Sequence, residues 1–185
     1  MRTIPEVTLL EPTDSVMLAD LMRQTKDMYG VFYIRITRKV VDKVFEDGST
    51  FEIGKAVELR DGSDVTLITS GYCTTDTIKA AEILAKEGIS AKVLNMFTWK
   101  PLDVEAIVAA AQKTGAIVTV ENHNVINGLG SAVAEVVGEH CPVPMKRIGV
   151  QDRFGEVGSI DYLKGIFGMT VEDIVAAAKE TIKRK

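Results

Sequence analysis

The chain has 185 residues, of which 46% are hydrophobic and 26% are charged, and its formal net charge is -4. This length and composition suffice for one well-packed core, or for one domain together with part of another. The negative charge argues against a nucleic-acid partner, and no apolar run approaches the roughly 20 residues that span a membrane. Neither Cys73 nor Cys141 belongs to a C-x-x-C pair. We therefore expect a soluble protein of the reducing cytoplasm.

The first 38 residues predict a strand, a helix and a second strand, over residues 7–10, 14–27 and 31–36. Thr13 or Asp14 is a suitable cap for the helix. Residues 31–34 form a continuous apolar run, which is typical of a buried parallel strand.

The segment from residue 39 to residue 63 is polar and contains glycines at positions 48, 54 and 62. Its residues 51–57 alternate between apolar and polar, as an extended segment does. We interpret this region as a linker with a short strand that leads into a second domain.

From residue 64 onwards, strands alternate with helices. The pattern predicts strands over 64–70, 91–96, 116–120 and 145–150, and helices over 75–87, 101–112, 131–139 and 170–183. The acidic residues Asp152, Glu156 and Asp161 indicate an ordered loop. Short connections in this order predict a parallel sheet with helices on both faces. Residues 1–38 are too few to cover both faces of a sheet, which indicates that they are the end of a different α/β domain and that the chain is a fragment.

One glycine-rich segment follows the strand at 116–120 and opens a helix. Glu121 and His123 are placed for acid–base work, and Gly128 and Gly130 are placed to present backbone N–H groups to an anion. Val133 occupies the position of the third glycine in a dinucleotide fingerprint, so that motif is incomplete. The alternative is a structural turn with a structural histidine.

Arg35 and Arg38 lie at the carboxyl end of the second strand. A guanidinium there can bind a phosphate through two parallel hydrogen bonds. The alternative is a solvated strand end or an ion pair. His140 and Cys141 are adjacent, but no second pair stands at zinc-ligand spacing, so we predict no metal site. Trp99 fits either a domain contact or a buried core position.

Six strings in sequence order resemble the C-terminal subunit of split transketolases: MRTIP with LLEP at residues 1–12, YIRITR at 33–38, FEIGK at 51–55, KPLD at 100–103, ENH with GLGSAV at 121–133, and DRFGE at 152–156. The same superfamily includes deoxyxylulose-phosphate synthase and the β subunits of 2-oxo acid dehydrogenases. The resemblance covers nearly the whole chain.

The resemblance implies a three-layer α/β/α domain with a mostly parallel sheet at residues 46–185, the transketolase C-terminal domain. Residues 1–45 are then the C-terminal remnant of a pyrimidine-binding α/β domain. The glutamate that activates the cofactor and the G-D-G motif that holds magnesium and diphosphate are expected outside this chain. Thiamine diphosphate and magnesium therefore belong to the complete enzyme, and none is expected on this chain alone.

The implied activity is transfer of a two-carbon ketol unit between phosphorylated sugars. The implied partners are an N-terminal transketolase section, in a homodimer or a heterotetramer, and the sugar substrate. The chain alone is expected to be inactive. Arg38 matches the family arginine that binds the substrate phosphate, and Arg35 is the second candidate, whereas relatives vary at Lys39-Val40-Val41, which leaves the sugar open. The alternatives are a non-catalytic subunit-interaction module, or part of a deoxyxylulose-phosphate synthase or of a 2-oxo acid dehydrogenase β subunit.

Overall fold

The computed structural model describes residues 1–38 and 41–185, so Lys39 and Val40, which belong to the segment expected to vary among relatives, lie outside the described residues. The strands are β1 (Val7–Leu10), β2 (Val31–Ile34), β3 (Val57–Arg60), β4 (Val65–Thr69), β5 (Ala91–Asn95), β6 (Thr98–Lys100), β7 (Ile117–Asn124) and β8 (Met145–Val150). The helices are α1 (Ser15–Thr25), α2 (Cys73–Lys86), α3 (Val104–Thr114), α4 (Leu129–His140), α5 (Ile160–Phe167) and α6 (Val171–Ile182). Among the described residues, no helix is long and apolar enough to cross a bilayer.

The larger sheet has the strand order β3-β5-β4-β7-β8. β4 pairs in parallel with both β5 and β7, and β8 extends the parallel array beyond β7. Among the described strands of this sheet, only β3, at one edge, runs antiparallel to its neighbour. The chain thus passes from β4 to β5 on one side and then crosses to β7 on the other, as doubly wound α/β sheets do.

Two apolar clusters cover the two faces of this sheet. One joins Val65, Leu67 and Val118 to α2 and α6, and the other joins Ile68 and Ile117 to α3 and α4. Successive strand residues point to opposite faces, so a strand with a layer on each side carries apolar residues on both faces. The predicted three-layer α/β/α domain with a mostly parallel sheet is confirmed.

Predicted helix signals are confirmed at several ends. The Asp14 carboxylate accepts from the N–H of Met17 and caps α1. Gly115 ends α3 in the left-handed conformation. Thr170 forms a capping box with Asp173 at the start of α6.

A second, three-stranded sheet has the order β2-β1-β6. β1 pairs in parallel with β2, and β6, which comes much later in the chain, pairs antiparallel with β1. The prediction of a buried strand at 31–36 is wrong, because Val31 and Tyr33 are 66% and 42% exposed. The reason is that only the face with Phe32 and Ile34 packs on a core, whereas the described residues leave the face with Val31 and Tyr33 uncovered. β2 is also an edge strand among the described residues, because it pairs with β1 on one side only.

The division into domains at residues 45 and 46 stays a prediction. Phe45, Phe51 and Phe97 stack edge to face, and they pack with Leu10 and Leu21 of the first segment. The polar region interpreted as a linker therefore contributes aromatic side chains to the apolar cluster that α1 forms with the small sheet.

Several elements differ from the prediction. Residues 121–124 continue β7 and are not a loop, and α2 begins at Cys73 rather than at Thr75. The short strand starts at Val57, where the extended segment was expected to end. The acidic loop after β8 gives way to a helix, α5, which has no buried residue.

Candidate functional site

The carboxyl ends of the two sheets face one another. Glu11 follows β1 and Arg35 follows β2, whereas Ser70 follows β4 and Asn122 lies near the end of β7. The Arg35 guanidinium donates to the Glu11 carboxylate and to Asn122 Oδ1, and the Ser70 hydroxyl donates to the other Glu11 oxygen. Four side chains from four strand ends thus join the small sheet to the large one.

This junction lies at the topological switch point of the large sheet, between the carboxyl ends of β4 and β7. Open α/β sheets bind ligands at such points, because loops there diverge to opposite faces and leave a crevice. Here a cavity of about 240 Å³ opens at the junction. Its walls include Leu9, Tyr33, Arg35, Trp99, His123 and Gly128.

Trp99 lies where the two sheets meet. Its indole N–H donates to Ser70 Oγ at 3.1 Å, and its ring lies 4.7 Å from the ring of His123. Because β6 pairs with β1, Trp99 stands on the strand that connects the two sheets.

Glu121 is completely buried in β7, with 0% of its side chain exposed. One oxygen accepts from the backbone N–H of Gly130 at 3.0 Å, and the other has no hydrogen-bond partner among the described residues. Burial raises the pKa of Glu121 to about 7, and the N–H groups of Gly130 and Leu129 and the charge of Arg147 only partly oppose this shift. The carboxyl group therefore exchanges its proton close to neutral pH.

His123 lies beside this carboxyl group. Its Nδ1 is 3.0 Å from the carbonyl oxygen of Asn124, which can only accept, so Nδ1 carries the proton. Glu121 Oε2 lies 3.3 Å from the same nitrogen. The buried Nε2 is then an acceptor without a donor among the described residues. Burial lowers the pKa of His123, which favours the neutral ring.

The glycines of the next turn leave space for these two side chains. A Cβ on Gly128 would collide with the Glu121 carboxylate and the His123 ring, and one on Gly130 would lie 2.6 Å from Thr119 Oγ1. The N–H of Gly130 was predicted to meet an anion, and the anion it binds here is the Glu121 side chain. The role of this segment as the edge of a binding site stays a prediction.

Arg38 is exposed and is not among the residues described as walls of the junction cavity. It directly follows Thr37, which lines a second cavity of about 220 Å³ at the carboxyl ends of β1 and β2. This second cavity is also bounded by Thr13, Asp14 and Ser15 at the start of α1. The two arginines considered from the sequence therefore lie at different places, Arg35 inside the sheet junction and Arg38 at the small sheet's end.

Sequence reasoning missed Glu11 and Ser70 as members of the junction. Glu11 is 4% exposed and Ser70 is 2% exposed, although both residue types usually lie at the surface. The available signal was their position directly after apolar strands, where side chains of parallel strands converge. The described residues contain no group of three or more His, Cys, Asp or Glu side chains able to hold a metal ion.

The fold and the position of the junction define a doubly wound α/β domain attached to the end of a second sheet. The family model described as "Transketolase, C-terminal domain" matches residues 54–174. Since this match covers more than half of the chain, the protein belongs to the transketolase C-terminal domain family.

Named relatives are consistent with this membership. The chain is 49% identical over its full length to a 6-deoxy-6-sulfo-D-fructose transketolase subunit of Clostridium sp., of which it covers 58%. It is 37% identical to an apulose-4-phosphate transketolase subunit of Phocaeicola vulgatus, of which it covers 59%. The chain thus spans somewhat more than half the length of these relatives.

Solved structures show the same fold. "Split gene transketolase, inactive beta4 tetramer" superposes with a TM-score of 0.97 at 39% identity, over 100% of this chain and 61% of that one. A transketolase from Leishmania mexicana superposes with a TM-score of 0.76 at 19% identity, over 99% of this chain and 26% of that one, and shows the fold alone.

Proposed function

We propose that this chain is the C-terminal part of a transketolase-type enzyme that transfers a two-carbon ketol unit between sugars carrying an anionic group. The observation that carries the proposal is the exposed Arg38 beside the cavity at the carboxyl ends of β1 and β2. In parallel α/β sheets this edge is where ligands bind.

The comparison of the two arginines supports Arg38 as the anion-binding residue. Arg35 already donates to the Glu11 carboxylate, which neutralises its charge, and to Asn122. Arg38 is exposed, so its guanidinium faces solvent rather than a buried carboxylate. An exposed guanidinium retains its donors for a phosphate or a sulfonate.

The names of the relatives support an anionic sugar as substrate. One name contains a sulfo sugar and another contains a sugar phosphate. Phosphate and sulfonate groups each present three oxygens that accept hydrogen bonds from the N–H groups of a guanidinium, so one arginine can bind either group. We assign the substrate class as a sugar with a terminal phosphate or sulfonate.

The cofactor is proposed to be thiamine diphosphate with magnesium, which supplies the nucleophilic carbon chemistry of ketol transfer when bound. The sequence contains no G-D-G string, and the described residues form no acidic cluster for a metal. The residues of this chain therefore do not fit the diphosphate and its metal. We propose that an N-terminal section on another chain binds them, and that this chain alone is inactive.

Replacement of Arg38 tests the proposed function. In the complete enzyme, Arg38→Ala is expected to raise KM for the phosphorylated sugar by about 10- to 100-fold, since a charge-assisted pair is lost. Arg60→Ala is the matched control, because Arg60 is also exposed but ends the antiparallel edge strand β3. An unchanged KM in Arg38→Ala would remove Arg38 from the substrate site.

A second candidate is supported by a specific relative. The chain is 37% identical to 1-deoxy-D-xylulose-5-phosphate synthase of Heliobacterium modesticaldum, of which it covers 28%. Pyruvate as the donor distinguishes this reaction, because it loses carbon dioxide whereas ketol transfer does not. Carbon dioxide release by the complete enzyme with pyruvate would favour the synthase.

A further inference from the structure

The Arg35 guanidinium is held by two different sheets. Glu11, at the end of β1, accepts one of its hydrogen bonds, and Asn122, in β7 of the large sheet, accepts another through Oδ1. The Arg35 side chain is 31% exposed and the Glu11 side chain is 5% exposed. A charged pair with so little solvent around it holds a defined geometry more strongly than a surface pair does.

The Glu11 carboxylate is itself fixed. Its second oxygen accepts from the Ser70 hydroxyl, and the same hydroxyl oxygen accepts from the indole of Trp99 at 3.1 Å. The backbone N–H of Glu11 donates to the carbonyl of Phe97 at 2.7 Å. The large sheet and β6 therefore fix the orientation of the anion that receives Arg35.

Arg35 is also the first residue of the segment that carries Arg38. Its backbone N–H donates to the carbonyl of Leu10 at 2.8 Å, which attaches the start of this segment to β1. At the far end of the segment, the N–H groups of Val44 and Phe45 donate to Asp14 Oδ2 at 2.8 and 2.9 Å. The described residues on the two sides of the undescribed pair are thus anchored, by Arg35 before it and by Asp14 after it.

We propose that Asn122 is a positioning residue for substrate binding: through Arg35 and Glu11 it fixes the start of the segment that presents Arg38 to the sugar phosphate. Asn122 acts through Arg35, whose guanidinium occupies its Oδ1. The inference rests on the proposed role of Arg38. It gives the C-terminal domain a direct part in substrate affinity, exerted across the junction of the two sheets.

The test compares two replacements in the complete enzyme. Asn122→Leu keeps the size of the side chain but removes the acceptor, and Asn122→Asp keeps an acceptor at Oδ1. We expect Asn122→Leu to raise KM for the phosphorylated sugar by about three- to tenfold with kcat changed less than about twofold, as for one lost hydrogen bond to a charged group. Asn122→Asp is expected to retain the KM of the wild type within about twofold.

Two further readouts separate positioning from general damage. KM for the same aldose without its phosphate is expected to be unchanged in Asn122→Leu, because Arg38 makes no phosphate contact there. In the double variant with Arg38→Ala, the Asn122→Leu change is expected to add no further rise in KM, since residues that act as a unit are not additive. Ser70→Ala, which removes the donor to Glu11, is expected to raise KM in the same way. It replaces Asn122→Leu in the test if that variant does not fold.

The outcomes are distinct. A full additional rise in KM in the double variant, or an equal rise for the sugar without phosphate, would overturn the positioning role while the proposed function stands. A normal KM in both Asn122→Leu and Ser70→Ala would do the same. A wild-type complete enzyme without ketol transfer would overturn the proposed function, and the inference with it.

Discussion

Glu121 Oε1 accepts a 3.0 Å hydrogen bond from the backbone N–H of Gly130, so a buried carboxyl group in β7 binds an N–H group in the first turn of α4. The N-cap residue of this helix, Gly128, makes no side-chain capping bond. The first N–H groups of a helix need an acceptor, and here a side chain from the preceding strand supplies it. This contact explains why glycines stand at the start of the helix.

Two glycines in α4 are predicted to respond in opposite ways to a methyl group. Gly130→Ala should lower the free energy of unfolding by about 2–4 kcal/mol, because its Cβ would lie 2.6 Å from Thr119 Oγ1 and 2.7 Å from Glu121 Oε1. Gly138→Ala should raise it by about 0.5–1 kcal/mol, because nothing lies within 4 Å and alanine favours helices. Urea unfolding measures both, and equal effects in the two variants would contradict this packing.

Glu121 is predicted to make stability depend on pH. Its pKa is about 7 in the folded protein, against an ordinary value of 4.5, so the folded form binds more protons between these values. Its contribution to the free energy of unfolding is fully present below about pH 4.5 and is lost as the pH rises through about 7. In wild type this loss amounts to about 3 kcal/mol.

Glu121→Gln removes that titration while it keeps an acceptor for Gly130. The free energy of unfolding of this variant, minus that of wild type, is expected to increase by about 3 kcal/mol between about pH 4.5 and about pH 8. Because the other titrating groups are shared, they cancel in the difference. A difference that does not vary with pH would show that the Glu121 pKa is ordinary.

Lys164 is predicted to hold α5 against α2. It forms an ion pair with Asp76 that is mostly shielded from solvent, and it lies 5.5 Å from the Tyr72 ring. Because α5 has no buried residue, we expect Lys164→Met to speed amide exchange across residues 160–167 by about tenfold. Lys146→Met, which breaks an exposed pair with Glu180, is the control and should leave that exchange unchanged.

The edge strand β2 is predicted to drive self-association of the isolated chain. Val31 and Tyr33 are exposed along an edge whose N–H and C=O groups lack a further strand among the described residues. Val31→Lys should weaken association in sedimentation velocity, because a charged edge disfavours strand pairing. The free energy of unfolding should change by less than about 0.5 kcal/mol. Val31→Thr, which adds no charge, is the control. If Val31→Lys associates as strongly as Val31→Thr, the contact between copies lies elsewhere.

Local signals predicted the large domain well. The strands β4, β5 and β7 carry apolar residues on both faces because helices cover both faces of the sheet, and glycines or capping side chains mark the helix ends. The prediction was wrong for β2 because an apolar run does not reveal whether both faces of a strand are covered. The helix α5 was missed because it is short and follows a stretch of glycines and acidic residues, which predicts a loop. Its apolar residues are only partly buried.

The site was less predictable for a physical reason. Arg35 was a candidate from its strand end, but its partners Glu11 and Asn122 lie 24 and 87 residues away in the chain. Only the approach of two sheets brings them together, and no local periodicity encodes that approach. Arg38 and Glu121 look alike in sequence as polar residues after strands, yet one is exposed and the other is completely buried.

The rate of ketol transfer on mixing tests the proposed function most directly. This chain would be assayed alone and with all remaining sections of the enzyme from the same source, with thiamine diphosphate, magnesium, a phosphorylated ketose donor and a phosphorylated aldose acceptor. We expect no transfer by either section alone and transfer by the mixture, reduced at low substrate concentration by Arg38→Ala. Transfer by this chain alone, or none by a mixture that forms a stable complex, would contradict the proposed function.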